Sequence, residues 1–91
     1  MSDSPDAFRA FEHNGWNNSE VCRSYHANFG EVTVQSVDPM LDAAGVVSGS
    51  MLLDVCTGAG YAAAKAAIRG AQVIGVDFSA SQVALASSQL P

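Results

Sequence analysis

The chain has 91 residues, 48% of them apolar and 14% charged, with nine acids against four bases and a net charge of −5. So apolar a composition excludes a disordered segment, and the length suits one small unit that buries roughly 60 to 65% of its unfolded surface. The acidic balance, with Arg9, Arg23, Lys65 and Arg69 scattered along the chain, argues against a nucleic-acid partner, which requires clustered cations.

The opening residues, Met1 to Asp6, are polar and acidic, so no signal peptide is expected. The uncharged stretch from Ala43 to Leu53 is about half of the roughly 20 residues that span a bilayer, and no membrane partner is expected. Cys22 and Cys56 lack CxxC spacing, which favours a reduced pair and a cytoplasmic location.

A short helix is predicted from about Pro5 to His13. Asn18 then caps a second helix whose Val21, Cys22, Tyr25 and Phe29 fall at helical spacing, with Gly30 at its left-handed end. A third helix carries Val34, Val37, Leu41 and Ala44 as its apolar stripe and stops at Gly45, while Pro39 must kink it or restart it after Asp38. Residues 1–46 are thus expected to form a helical cap, anchored on a sheet by Trp16 and Tyr25.

Residues 47–91 have another pattern. Met51 to Cys56 is a nearly continuous apolar run, as expected for a parallel strand covered on both faces. The Ala-rich segment from Tyr61 to Arg69 is a strong helix, with Ala62, Ala63, Ala66 and Ala67 permitting close packing on the sheet and Lys65 and Arg69 on its wet side. Gln72 to Val76 forms a second strand ending at Asp77, and the whole makes one right-handed βαβ unit. Ser79 and Gln82 give a capping-box signature for a last helix running to about Leu90. The expected fold class is α/β.

Between the first strand and its helix stands Thr57-Gly58-Ala59-Gly60, where glycines allow a tight turn and close approach of a ligand to amides at a positive helix end. Read as G-x-G-x-x-G/A, the match is Gly58, Gly60 and Ala63, and Asp77 follows Gly58 by 19 residues, near the offset of an acid that binds ribose hydroxyls. Asp54, just before the loop, is a poor neighbour for a pyrophosphate and a good one for an ammonium, which favours S-adenosylmethionine over NAD. Cys56 has no following His to activate it and is expected to be a small buried residue. Cys22, His26 and His13 fall short of a tetrahedral zinc set, and no metal is expected.

Leu53 to Gly60 and Ala71 to Ser79 together resemble the first two motifs of class I S-adenosylmethionine-dependent methyltransferases, closest to the quinone-biosynthesis and small-molecule type. The likeness covers Met51 to about Leu90. In the pattern [D/E]-x-G-x-G-x-G, Asp54 is the acid, Cys56 replaces the first glycine, and Gly58 and Gly60 are the second and third. The resemblance implies a Rossmann-like sheet, with Asp77 on the ribose, Phe78 beside the adenine, Thr57 and Ala59 adjacent to the cofactor, and Tyr25 as an aromatic near it. It also implies a small-molecule methyl acceptor, whose site would lie in later strands that these 91 residues do not include; no catalytic base can be named. The expectation is therefore the N-terminal piece of such a fold, catalytically incomplete by itself. Two other expectations stand beside it: an NAD-binding fragment, and a non-enzymatic scaffold that oligomerises or recruits a partner through an exposed sheet edge.

Overall fold

The structure, a computed structural model, describes residues 4–89. In chain order the elements are α1 (Pro5–Trp16), α2 (Ser19–Val34), α3 (Val37–Ala43), β1 (Met51–Val55), α4 (Tyr61–Ile68), β2 (Gln72–Val76) and α5 (Ala80–Gln89). β1 and β2 pair in parallel, Met51 opposite Gln72 through Val55 opposite Val76. The chain is therefore mixed helix and strand, an α/β arrangement; Leu90 lies outside the described residues.

Each helix start has a local cause. Ser4 Oγ accepts from the Ala7 amide ahead of Pro5, whose missing N–H costs nothing in a first turn. This helix continues past His13 to Trp16, where the Trp16 indole N–H donates to Glu12 Oε2 at 3.0 Å. Asn18 Oδ1 accepts from the amides of Glu20 and Val21, as its side chain suggests. At the start of α5, Ser79 Oγ accepts from the Gln82 amide at 3.1 Å. The Ser79 amide, which a capping box would give to Gln82, donates to Asp77 Oδ1 instead.

Two expectations about the helices need correction. Gly30 does not end α2 but lies buried within it, because the Tyr61 hydroxyl occupies the space that a Cβ there would fill. That hydroxyl also meets His26 Nδ1, and the two rings stack with centroids 5.3 Å apart. Pro39 neither kinks nor restarts a helix. The break falls earlier, at Gln35 and Ser36, and Pro39 sits in the first turn of α3, where no intrahelical N–H bond is lost.

The core is small. Val37, Leu41, Val46 and Ala66 are buried together, with Leu52, Tyr61, Ala62, Ala71 and Val73 packed around them. Lys65 and Arg69, expected to be solvated, instead bind α4 to α3: Lys65 Nζ lies 3.1 Å from Asp38 Oδ2, and Arg69 reaches Asp42 at 2.8 Å and Asp38 at 3.3 Å. Arg69 also donates to the carbonyls of Val46 and Asp38, with its side chain only 22% exposed.

A further correction concerns the faces of the sheet. Leu52 and Val73 pack toward α4, but the opposite face is bare: Met51 is 84% exposed, Ile74 66%, and Leu53, Val55 and Val76 are exposed as well. The radius of gyration is 14.7 Å, against roughly 12 Å for a compact chain of this length, because the molecule is elongated, 50 × 23 × 21 Å. No helix among the described residues is long and apolar enough to cross a membrane.

Two predictions follow from this packing. Gly30→Ala should destabilise the fold by about 1 kcal/mol, since overpacking of about 1–3 kcal/mol exceeds the gain in helix propensity; chemical denaturation should show the penalty shrinking in a Tyr61→Ala background. The Asp38 carboxyl is held below its ordinary value by hydrogen bonds from Lys65 and then Arg69. A carboxylate with a lowered folded pKa stabilises above its unfolded pKa of about 4 and loses that contribution as pH falls. The stability difference between wild type and Asp38→Asn should therefore be largest near neutrality and vanish in acid, as read by thermal unfolding at several pH values.

Candidate functional site

The glycine loop leaves the sheet beside the end of β2. The Thr57 amide donates to the Val76 carbonyl at 2.9 Å, continuing the strand pairing by one bond, and the Gly60 amide donates to the Thr57 carbonyl at 2.9 Å to close the turn. Thr57 can lie there because Gly75 has no side chain; a Cβ on Gly75 would stand 2.8 Å from Thr57 Oγ1. Gly60, at φ 83°, is the N-cap of α4 and supplies no capping side chain, so the first-turn amides are left to other partners. Its own missing Cβ lets Ala86 of α5 approach, since a methyl group would meet Ala86 Cβ at 2.9 Å.

Both candidate acids bind this loop. Asp54 Oδ2 accepts from the Thr57 hydroxyl at 2.8 Å. Asp77 Oδ2 accepts from the Gly58 amide at 3.0 Å while its Oδ1 accepts from the Ser79 amide at 2.9 Å, so one carboxylate joins loop, strand end and α5. A carboxylate has about four acceptor positions, and each oxygen of Asp77 keeps capacity for a further donor.

A cavity of about 270 Å³ opens here, lined by Trp16, Tyr25, Cys56, Gly58, Asp77, Phe78 and Gln82. Five of the nine residues singled out from sequence, Tyr25, Cys56, Gly58, Asp77 and Phe78, thus come together on one cavity. The other four, Asp54, Thr57, Ala59 and Gly60, belong to the loop and strand end behind it; Ala59 and Gly60 are buried. Trp16 was expected only as an anchor, yet it lines the cavity and meets Tyr25 edge to face at 5.2 Å. Gln82 was legible only as a capping residue. Gly75 had the one signal available, a glycine inside a strand, which marks close approach of another group.

Tyr61 stands immediately after the loop, but its ring turns to α2 and His26 rather than covering the loop's mouth. Burial pushes its hydroxyl above the ordinary tyrosine value, and neighbouring Tyr25 adds to the effect. Cys56 departs from expectation in two respects: it is exposed, and its φ of 59° lies in the left-handed region. The loop therefore takes a glycine-type conformation at the one motif position where this sequence has no glycine.

Compared with protein-family models, with curated proteins and with solved structures, the chain matches none.

A left-handed conformation costs an L-residue about 1–2 kcal/mol, whereas glycine loses roughly 0.5–1 kcal/mol more entropy on folding. Cys56→Gly should then stabilise the protein by about 0.5–1 kcal/mol in urea titrations, and Cys56→Val, branched at Cβ, should destabilise it.

Proposed function

We propose that this chain is the cofactor-binding segment of a Rossmann-like, S-adenosylmethionine-dependent methyltransferase for a small-molecule acceptor. The Asp77 carboxylate carries this assignment, because it stands at the end of β2, holds the glycine loop through the Gly58 amide and borders the same cavity as Tyr25 and Phe78. The residues present suit an adenosyl ligand. At Gly58 the nearest atom to an added Cβ is the Cys56 carbonyl oxygen at 4.0 Å, so the loop offers a backbone surface free of side chain at the cavity wall.

In this assignment Asp77 accepts the ribose hydroxyls, Phe78 lies along the base, and Asp54, held by Thr57, draws the ammonium of the amino-acid portion. The Gly58 backbone forms the floor, with Cys56, Thr57, Ala59 and Gly60 completing the loop and Tyr25 covering it from α2. The cofactor supplies a methyl group on a cationic sulfur, and the protein's contribution to such a transfer is alignment of donor and acceptor. Asp54 also weighs against an NAD pyrophosphate, whose negative charge it would oppose.

A second reading, a non-enzymatic scaffold, is favoured by one observation, the bare apolar face of β1 and β2. Five large side chains there, together with strand edges that have no neighbour among the described residues, suit a second copy or another partner.

Titration calorimetry of the folded chain with S-adenosylhomocysteine separates these readings. Binding of that ligand, weaker by about tenfold or more in Asp54→Asn and Asp77→Ala, is the expected result. Preference for NADH, strengthened in Asp54→Asn, would establish the dinucleotide alternative. Binding of neither ligand would leave the scaffold.

A further inference from the structure

Beside the loop cavity lies a larger, mainly apolar groove of about 470 Å³, formed by the face of α1 that carries Pro5, Phe8, Arg9, Glu12 and His13 together with Phe78; the Arg9 guanidinium there lies 3.8 Å from the Asp6 carboxylate. Phe78 lines both spaces and is 57% exposed, with the His13 ring 5.2 Å from its own. Glu12 also connects them: it lines the groove, and its Oε2 accepts from the indole of Trp16, which lines the cavity.

The loop cavity alone, at about 270 Å³, falls just below the roughly 300–1,000 Å³ of sites that enclose whole small molecules. A ribose held by Asp77 must place its base within one sugar's width of that carboxylate, and the adjacent residue is Phe78. The flat apolar surface over Phe78 continues into the groove. There the carboxylate of Glu12 is an acceptor, already oriented by Trp16 and with lone pairs to spare. Such a group pairs with an amine on a ring and repels a carbonyl, while the one cation in the lining, Arg9, is directed to Asp6.

We propose that α1 supplies the base-recognition site for the ligand: an aminopurine seats against Phe78 and His13, and Glu12 accepts a hydrogen bond from its exocyclic amine. This rests on the assignment of an adenosyl cofactor to the loop cavity, and it adds a specificity element, Glu12, outside the glycine loop and the strand ends. The first helix then has a role in choosing the ligand.

The test compares S-adenosylhomocysteine with S-inosylhomocysteine, which carries a carbonyl where adenine has its amine. Wild type should prefer the adenosyl ligand by about tenfold or more, and Glu12→Gln, whose amide can both donate and accept, should lose most of that preference while keeping an oxygen for Trp16. A readout on the unaltered chain accompanies it. The sequence has two histidines, and adenosine should shift the imidazole NMR signals of His13 while leaving those of His26, stacked on Tyr61, in place. S-adenosylhomocysteine binding with an unchanged preference in Glu12→Gln, or with no shift at His13, would overturn the assignment to α1 and leave the loop site standing. Failure of the folded wild type to bind S-adenosylhomocysteine at all would overturn both.

Discussion

One carboxylate holds the glycine-loop end of this molecule together. Asp77 leaves β2 between a glycine loop and a helix start, and its two oxygens accept one amide from each, Gly58 and Ser79. Charge-assisted bonds of this kind are about twice as strong as neutral ones, and here they fix the relative positions of three segments. Ser79 extends the linkage, since its hydroxyl donates to the Trp16 carbonyl at the end of α1 and accepts from the Gln82 amide. The helical N-terminal region is therefore joined to the strand end through a short chain of hydrogen bonds, and the cavity lies among the residues so joined.

Much of this was legible in sequence because it depends on local chemistry. The strands, the Ala-rich helix and the loop between them follow from apolar runs broken by glycine, and the parallel pairing of β1 with β2 is what a helical crossover provides. Asn18 and Ser79 announced helix starts for the same reason, since a cap is a contact with an amide two or three residues away. The acids at the two strand ends were visible from their spacing to the loop, and both do bind that loop.

What could not be read was set by contacts between distant segments. Gly30 has the composition of a helix stop, yet it is a gap for Tyr61, 31 residues later, and no local pattern encodes that contact. Lys65 and Arg69 have the spacing of a solvated helix face, and their partners Asp38 and Asp42 belong to another helix. Gly75 looks like a weak point in a strand until Thr57 is seen over it. Glycine and charge are the least informative residues in isolation because each has several uses, and the neighbour that decides among them is remote.

The bare face of the sheet follows from a different kind of constraint. An apolar run such as Met51 to Val55 signals burial on both sides, and only one side is covered by the described helices. Parallel pairing intensifies the conflict, because parallel strands occur almost only where both faces are packed. Met51, Leu53, Val55, Ile74 and Val76 thus express a demand that the described residues do not meet, whereas the loop and its acids satisfy one another without help. The loop corner and the bare sheet face are separable for that reason. The first is held by hydrogen bonds that Asp77 and Asp54 accept from Gly58, Ser79 and Thr57, and the second depends on whatever apolar surface is packed against it.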